Sequence, residues 1–324
     1  LFWAKNMPAS PNAELNDLAL DASGNIHITG SYRGTIDFDP SGAVASRTAL
    51  LEDIFVAKYD ASGNYLWANS MGSGGSMTNV GNAIIVDNLG NAYVTGHFAG
   101  TVDFDPGVGT TNLVSSGTFT DIYLAKYNSL GTFQWAFRAG NTNQDVGMGL
   151  GFDGSFNPIL TGYFGGTVDF NPSAGTFNLT SIGNDMVIAK YTSAGVFTWA
   201  AQVSPIASNG GVYPYDLAMD VTGNIYVAGT MIRAVDFAPG APVNLLTPPG
   251  TYESTFLAKY DASGTNLWAD MIAGTALTRS FSVSVGPTGI PFVGGEFIGT
   301  ADFDPGTGSD SLTSIASNSV FVSQ

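Results

Sequence analysis

Tryptophan falls at positions 3, 67, 135, 199 and 268, in steps of 64, 68, 64 and 69 residues. Each sits in the same tract: LFWA, YLWA, FQWA, FTWA and NLWA. A second marker, the first Asp of a DFDP-like tract, falls at 37, 103, 169, 236 and 302, in steps of 66, 66, 67 and 66. Two independent markers therefore agree on five units of about 66 residues. A repeat of this kind fixes the fold, because each copy must be one supersecondary unit stacked on its neighbours. No range is left for a second domain, so residues 1–324 are expected to form a single one.

Within a unit the pattern is short apolar runs separated by turns. In the second copy, Asn82–Asp87 (NAIIVD) is the first strand, ended by Asn88-Leu89-Gly90-Asn91. Ala92–Phe104 follows as the second, Ile122–Tyr127 (IYLAKY) as the third and Phe133–Arg138 (FQWAFR) as the fourth. Glycine-bearing turns between β-rich runs are hairpin signals. Four antiparallel strands per repeat is the propeller blade, so the expected fold is all-β, a five-bladed β-propeller. Only 4 of 26 acidic residues are Glu, which also argues against helices. The chain opens on a Trp strand, Leu1–Asn6, and ends on Val320–Gln324, which matches the strand preceding Trp elsewhere (IFVAKY, IYLAKY, VIAKY, FLAKY). The expectation is that residues 1–6 complete the last blade by pairing with that terminal strand. The pairing would close the ring and remove two exposed edges.

A formal net charge of −16 repels phosphate, which makes nucleic acid and anionic membrane surfaces poor partners. The chain has no cysteine for disulfides or thiolate-bound metal. No run approaches the roughly 20 apolar residues of a membrane span, so no direct membrane insertion is expected. The start at Leu1, with no Met and no signal peptide, reads as a processed piece of a longer product with flanking domains.

The DFDP tracts read Asp37-Phe38-Asp39-Pro40, Asp103-Phe104-Asp105-Pro106, Asp169-Phe170-Asn171-Pro172, Asp236-Phe237-Ala238-Pro239 and Asp302-Phe303-Asp304-Pro305. Two roles are open. Carboxylates one residue apart on a strand point the same way, so Asp37 with Asp39, Asp103 with Asp105, Asp169 with Asn171, and Asp302 with Asp304 are candidate Ca2+ ligands. Alternatively the Asp and Pro-Gly build a turn while Phe packs. Loss of ligands at Asn171 and Ala238 favours the turn. Lys58, Lys126, Lys190 and Lys259 repeat in mid-strand and are expected to pack along the sheet with the amine on an Asp such as Asp53 or Asp121. The five Trp are expected in packing between blades rather than as sugar platforms. His27 and His97 occupy different repeat positions and build no catalytic relay. Glu14, Glu296 and Asp145 alone break the symmetry of the acids, so no catalytic residues are assigned. The segments 69–82, 138–147, 201–216 and 270–280 vary while the framework repeats, and are the candidate binding loops.

The stretches DASGNIHITGSYRGTIDFDP, DIFVAKYDASGNYLWA and NAYVTGHFAGTVDFDPG make the sequence resemble the SBBP-type bacterial β-propeller repeat family across essentially the whole chain. That resemblance implies an extracellular or cell-surface location, often by type IX secretion, and a role in adhesion or protein–protein interaction. It carries no catalytic residues. The third to fifth copies depart from the pattern, where Asp153-Gly154-Ser155-Phe156 and Gly286-Pro287-Thr288-Gly289 alter the turn. The function expected is a non-enzymatic binding or adhesion module engaging protein or glycan. The alternatives are a purely structural spacer or assembly subunit and, more distantly, a glycan-binding lectin or glycoside hydrolase.

Overall fold

The structure, a computed structural model, describes residues 3–73, 78–238, 243–306, 308–315 and 317–324. Among these the chain is entirely β, with 27 strands and no helix, and every strand pair in its sheets is antiparallel. First strands are Ala9–Leu20, Val80–Val86, Val146–Phe152, Gly211–Met219 and Thr278–Val285. Second strands are Ile26–Asp37, Ala92–Phe98, Pro158–Phe164, Ile225–Ile232 and Pro291–Phe297. Third strands are Ser46–Tyr59, Asp121–Tyr127, Asp185–Tyr191, Ser254–Tyr260 and Ser319–Ser323, and fourth strands are Tyr65–Met71, Phe133–Ala139, Phe197–Pro205 and Asn266–Gly274. In repeats one to four they lie in the order first, second, third, fourth; repeat five has three. This is a repeat architecture consistent with a propeller-like fold.

The long second strand expected over Ala92–Phe104 is broken. It stops at Phe98, and Thr101–Asp103 forms a separate small hairpin with Asn112–Val114. At the break Gly100 has φ 79°, in the left-handed region. In repeat one Gly34 has φ 65° at the same place but lies inside the unbroken Ile26–Asp37, where the pairing with Ser46–Tyr59 shifts register between Tyr32 and Gly34. Repeat four holds Arg233 at the same place, at φ 72°.

By packing, the chain divides into two compact units. The first comprises 1–147, 171–176 and 193–196; the second comprises 148–170, 177–192 and 197–324. In the first, the second half of the third strand of repeat one, from Ile54 to Tyr59, is buried on both faces. Its Ile54 and Val56 meet Ile84, Val94 and Phe98 of repeat two. Each such aliphatic side chain removed from water contributes about 1.5–3 kcal/mol. The Asp17 carboxylate accepts from the Ile84 amide at 2.8 Å, and the Asn16 amide donates to the Gly81 carbonyl at 2.9 Å, which locks neighbouring first strands in register. In the second unit the same junction recurs: Asp216 accepts from the Val283 amide at 2.9 Å, and Met186, Ile188, Leu217 and Val227 share one core.

The expected pairing of Leu1–Asn6 with Val320–Gln324 is not found among the described residues, and Leu1 and Phe2 lie outside them. Trp3–Pro8 form no strand, and Ser319–Ser323 pairs with Pro291–Phe297. The N-terminal segment is tied instead to repeat one. The Trp3 indole donates to the Ala61 carbonyl at 3.2 Å, the Asp37 amide donates to the Pro8 carbonyl at 3.0 Å, and the Met7 sulfur lies 2.8 Å from the Tyr59 hydroxyl.

Candidate functional site

The DFDP tracts are turn caps. Asp37 Oδ1 accepts from the amides of Asp39 and Ala45, Asp103 Oδ1 from Asp105 and Thr111, and Asp302 Oδ1 from Asp304 and Asp310. Asp169 Oδ1 accepts from Phe177, and Asp236 Oδ1 from Ala238 and Asn244. The second acid of each tract caps the next turn: Asp39 on Ser41, Asp105 on Gly107, Asn171 on Ser173 and Asp304 on Gly306. Short side chains that bond the backbone two residues on stabilise such turns. Each Phe of a tract packs against aromatic neighbours, as Phe104 does on Tyr123 at 4.9 Å. Among the described residues, no group of three or more His, Cys, Asp or Glu converges as a metal ligand set.

The repeated lysines do not meet Asp53 or Asp121. Lys58 reaches Asp21 at 3.0 Å, Lys126 reaches Asp87 at 3.9 Å, Lys190 reaches Asp153 at 2.8 Å and Lys259 reaches Asp220 at 3.5 Å. These are the acids of the turn between first and second strands. Each also accepts from the Asn four residues on, as Asp21 does from Asn25 at 2.8 Å. The sequence carried the signal, an Asp-x-x-x-Asn in four copies. In repeat five Gly286 and Gln324 replace the Asp and the Lys together. Burial alone would raise Asp153, but the Lys190 ammonium and the Asn157 and Ser155 donors hold it near about 2. Asp53 instead accepts from Ser70, and Asp121 pairs with Arg138 at 2.7 Å.

The tryptophans are joints between repeats. Trp3, Trp67 and Trp135 each donate their indole N–H to a carbonyl in the following repeat's turn: Ala61, Ser129 and Ser193. A Cβ on Gly131 or Gly264 would strike the ring of Trp67 or Trp199, and one on Gly63 or Gly195 would press on Trp3 or Trp135 at 3.1 Å. His27 is fully buried edge-on to Trp67, and burial lowers its pKa to about 4. Burial likewise lowers His97 to about 4.

What does not repeat gathers where the first strands begin and the second strands end. The paired residues there are Glu14–Ser31 in repeat one, Val80–His97 in two, Tyr213–Thr230 in four and Arg279–Glu296 in five. In the second unit these positions make two sets of contacts. The Asn184 amide donates to the Tyr213 hydroxyl at 2.7 Å, and Tyr213 packs edge-on to Tyr163 at 5.1 Å. Arg279 donates to Glu253 and lies 3.8 Å from Glu296, which accepts from Asn318 at 2.8 Å. The Glu253 carboxylate raises the pKa of the guanidinium. Beside them the first strands of repeats one, two, four and five each carry a bulge, which re-aims one side chain. The bulged residue is Asn16, Asn82, Tyr215 or Phe281. Asn16 and Asn82 spend their amides on the next strand's carbonyl. Tyr215 and Phe281 instead meet edge-on at 5.8 Å, and Phe281 is 49% exposed.

Of the segments expected as binding loops, 201–216 and 270–280 are mostly strand, while 69–82 and 138–147 are mostly connection. Framework strands run to Met71, Ala139, Pro205 and Gly274 and resume at Val80, Val146, Gly211 and Thr278. The true connections are therefore 72–79, 140–145, 206–210 and 275–277, and residues 74–77 lie outside the described set. The fourth strands of repeats three and four run on because Ser204 and Pro205 pair with Asp236 and Val235, and Ala273 and Gly274 with Asp302 and Ala301, of the following repeat. Tyr213, Tyr215 and Arg279 fall inside the expected segments, as strand residues. Glu14 is exposed, with Asn12 3.4 Å away, and Asp145 is buried and caps Asn141.

No protein-family model matches the chain. It is 26% identical over 333 residues to an uncharacterized WD repeat-containing protein of Acanthamoeba polyphaga mimivirus, covering 85% of this chain and 23% of that protein. It is 27% identical over 214 residues to the regulatory protein FlaEY of Caulobacter vibrioides, covering 62% of this chain and 21% of that one. The chain thus spans about a quarter of the length of the curated relatives it matches. A solved Bacteroides caccae protein of unknown function aligns over 81% of this chain and 83% of its own at 12% identity, with a TM-score of 0.30. A repeat protein of propeller-like type is the common ground between the first relative and the all-β repeats. No helix among the described residues is long and apolar enough to cross a membrane.

Proposed function

We propose that this chain is a non-enzymatic binding module, a single five-bladed propeller of the SBBP type, working outside the cell or on its surface as part of a longer protein. Partners are protein or glycan. One observation carries the binding reading: the repeated polar groups are spent on the scaffold, whereas Tyr215 and Phe281 pack edge-on at 5.8 Å, with Phe281 49% exposed, in the same repeats as the Arg279, Glu253 and Glu296 charges. The counterpart of Glu253 in repeat one, Glu52, pairs with Arg33 at 3.0 Å. Structural roles rarely leave an aromatic ring half exposed beside charged groups, and such combinations are favoured at interfaces. The five-blade reading rests on the five tracts and on two complementary bare surfaces. Leu18 of repeat one is 55% exposed, although its counterparts Ile84, Leu217 and Val283 are buried. Val320 and Val322 of repeat five are 87% and 81% exposed, although their counterparts Ile54 and Val56 are buried.

The test compares wild type with Arg279→Ala and Phe281→Ala on a glycan array and in pull-downs of surface proteins. A partner lost in both variants is the expected result. A partner retained by both would move the site elsewhere, and no partner at all would favour the spacer reading.

A further inference from the structure

The junction of repeats four and five, both in the second unit, holds a partly open space of about 150 Å³. Its walls include Leu257, Trp268 and Ile272 of repeat four and Pro291, Val293 and Phe303 of repeat five. The strand register says what belongs at this place. In repeats one, two and four the first residue of the second strand, Ile26, Ala92 or Ile225, lies opposite the Tyr that follows the repeated Lys: Tyr59, Tyr127 or Tyr260. Those rings are buried, as is Tyr191 in repeat three. In repeat five Pro291 begins the second strand, Val293 pairs with Ser323, and Gln324 takes the position of the Lys. The 324 residues therefore set no ring opposite Pro291.

The second observation is the exposure of the walls. Leu257 corresponds to Val56, Leu124 and Ile188, which are fully buried, yet it is partly exposed. Ile272 corresponds to Met71, Ala139 and Val203, and Phe303 to Phe38, Phe104, Phe170 and Phe237; all of those are buried, and both of these are partly exposed. Apolar surface left in contact with water favours an apolar occupant. A cavity of about 150 Å³ lined by aliphatic and aromatic side chains is large enough to take one benzene ring. One polar contact comes with the place. In repeats one to three the Tyr hydroxyl donates to the Phe carbonyl of its own DFDP tract: Tyr59 to Phe38 at 2.8 Å, Tyr127 to Phe104 at 3.0 Å and Tyr191 to Phe170 at 2.9 Å. Phe303, at the wall of this cavity, holds that position in the fifth tract.

We infer that this cavity is a binding site for a single neutral phenol ring, whose hydroxyl donates to the Phe303 carbonyl. Trp268 and Phe303 supply aromatic surface for the ring, and Leu257, Ile272 and Val293 supply aliphatic surface. Asp270 also stands at the wall, and its carboxylate disfavours a phenolate or any other anionic ring. Two sources share this chemistry, a free phenol and the side chain of a peptide tyrosine. The site uses neither Arg279 nor Phe281, so it does not depend on the binding reading proposed above.

The experiment is ligand-observed NMR and calorimetry with p-cresol, toluene and N-acetyltyrosine amide. It uses the 324-residue chain, Val293→Phe, and a form extended by one Tyr after Gln324. p-Cresol should bind one to one, and toluene about 2- to 10-fold more weakly, the range for one hydrogen bond. Val293→Phe fills the cavity and should bind no p-cresol. The added Tyr continues the third strand as Tyr59 and Tyr127 do, so it should raise the melting temperature and abolish p-cresol binding. It replaces no side chain, which separates a filled site from a misfolded variant. Tighter binding of N-acetyltyrosine amide than of p-cresol would assign the ring to a peptide tyrosine, and weaker binding would assign it to a free phenol. Absence of p-cresol binding, or binding that survives the added Tyr, would overturn the proposal.

Discussion

At the residue scale the Asp–Lys pair shows how a repeated charge is used. Asp153 is held near about 2 in the folded chain, against about 3.9 when unfolded. A carboxylate with a lowered folded pKa adds stability that is fully present above about pH 4 and fades as the pH falls toward 2. Asp153→Asn should therefore be less stable than wild type at pH 6, and the gap in urea midpoint should shrink toward pH 2. Equal gaps at both values would show that the Lys190 pair does not set the acid response. The existence of the four lysines was legible in the sequence, but their partners were not. Lys58 sits on a third strand and Asp21 in the turn before the second, so only the sheet register brings them together. Asp53 and Asp121 lie near lysines in sequence but at the other end of the strand.

At the scale of the element, turns and joints decide stability. Gly131 has φ 80°, and a Cβ there would lie 2.7 Å from Cδ2 of Trp67. Gly131→Ala adds left-handed strain of about 1–2 kcal/mol to a steric clash. It should lower the melting temperature clearly, whereas Leu130→Ala, on an exposed side chain of the same turn, should not. A melt unaffected by Gly131→Ala would remove the Trp joint as a stabilising device. Arg233 gives the opposite case. It holds φ 72° where Gly34, Gly100 and Gly299 sit in other repeats at 65–79°. Arg233→Gly should relieve the strain and raise stability by about 0.5–1 kcal/mol, read from denaturant midpoints. A loss instead would mean that the arginine side chain contributes more than the backbone strain costs. The run YVTGHFAGTVDF looks continuous in sequence but is divided between Phe98 and Thr101, whereas its counterpart in repeat one stays a single strand through Gly34.

At the scale of the whole molecule, the question is what covers the bare faces of the first and last repeats. The repeat supplies a register for the proposed closure. Trp67 pairs with Lys58 and Ala68 with Ala57 across the third and fourth strands of repeat one. Trp3 corresponds to Trp67, and Ser323 to Ala57, so closure would set Ala4 opposite Ser323. Trp3 already makes the indole-to-turn bond that Trp67 and Trp135 make, as a fourth strand of the repeat before the first would. The chain contains no cysteine, so a double variant, Ala4→Cys with Ser323→Cys, reports on this register without background. Opposed residues of an antiparallel pair lie about 4.5–5.5 Å apart at Cα, within disulfide reach. A closed five-blade ring should oxidise to an intramolecular disulfide in the monomer, and the bond should raise the melting temperature by restricting the unfolded chain. Disulfide-linked dimers at low protein concentration, with no cross-linked monomer, would instead mean that the bare faces are completed by other copies or by further repeats.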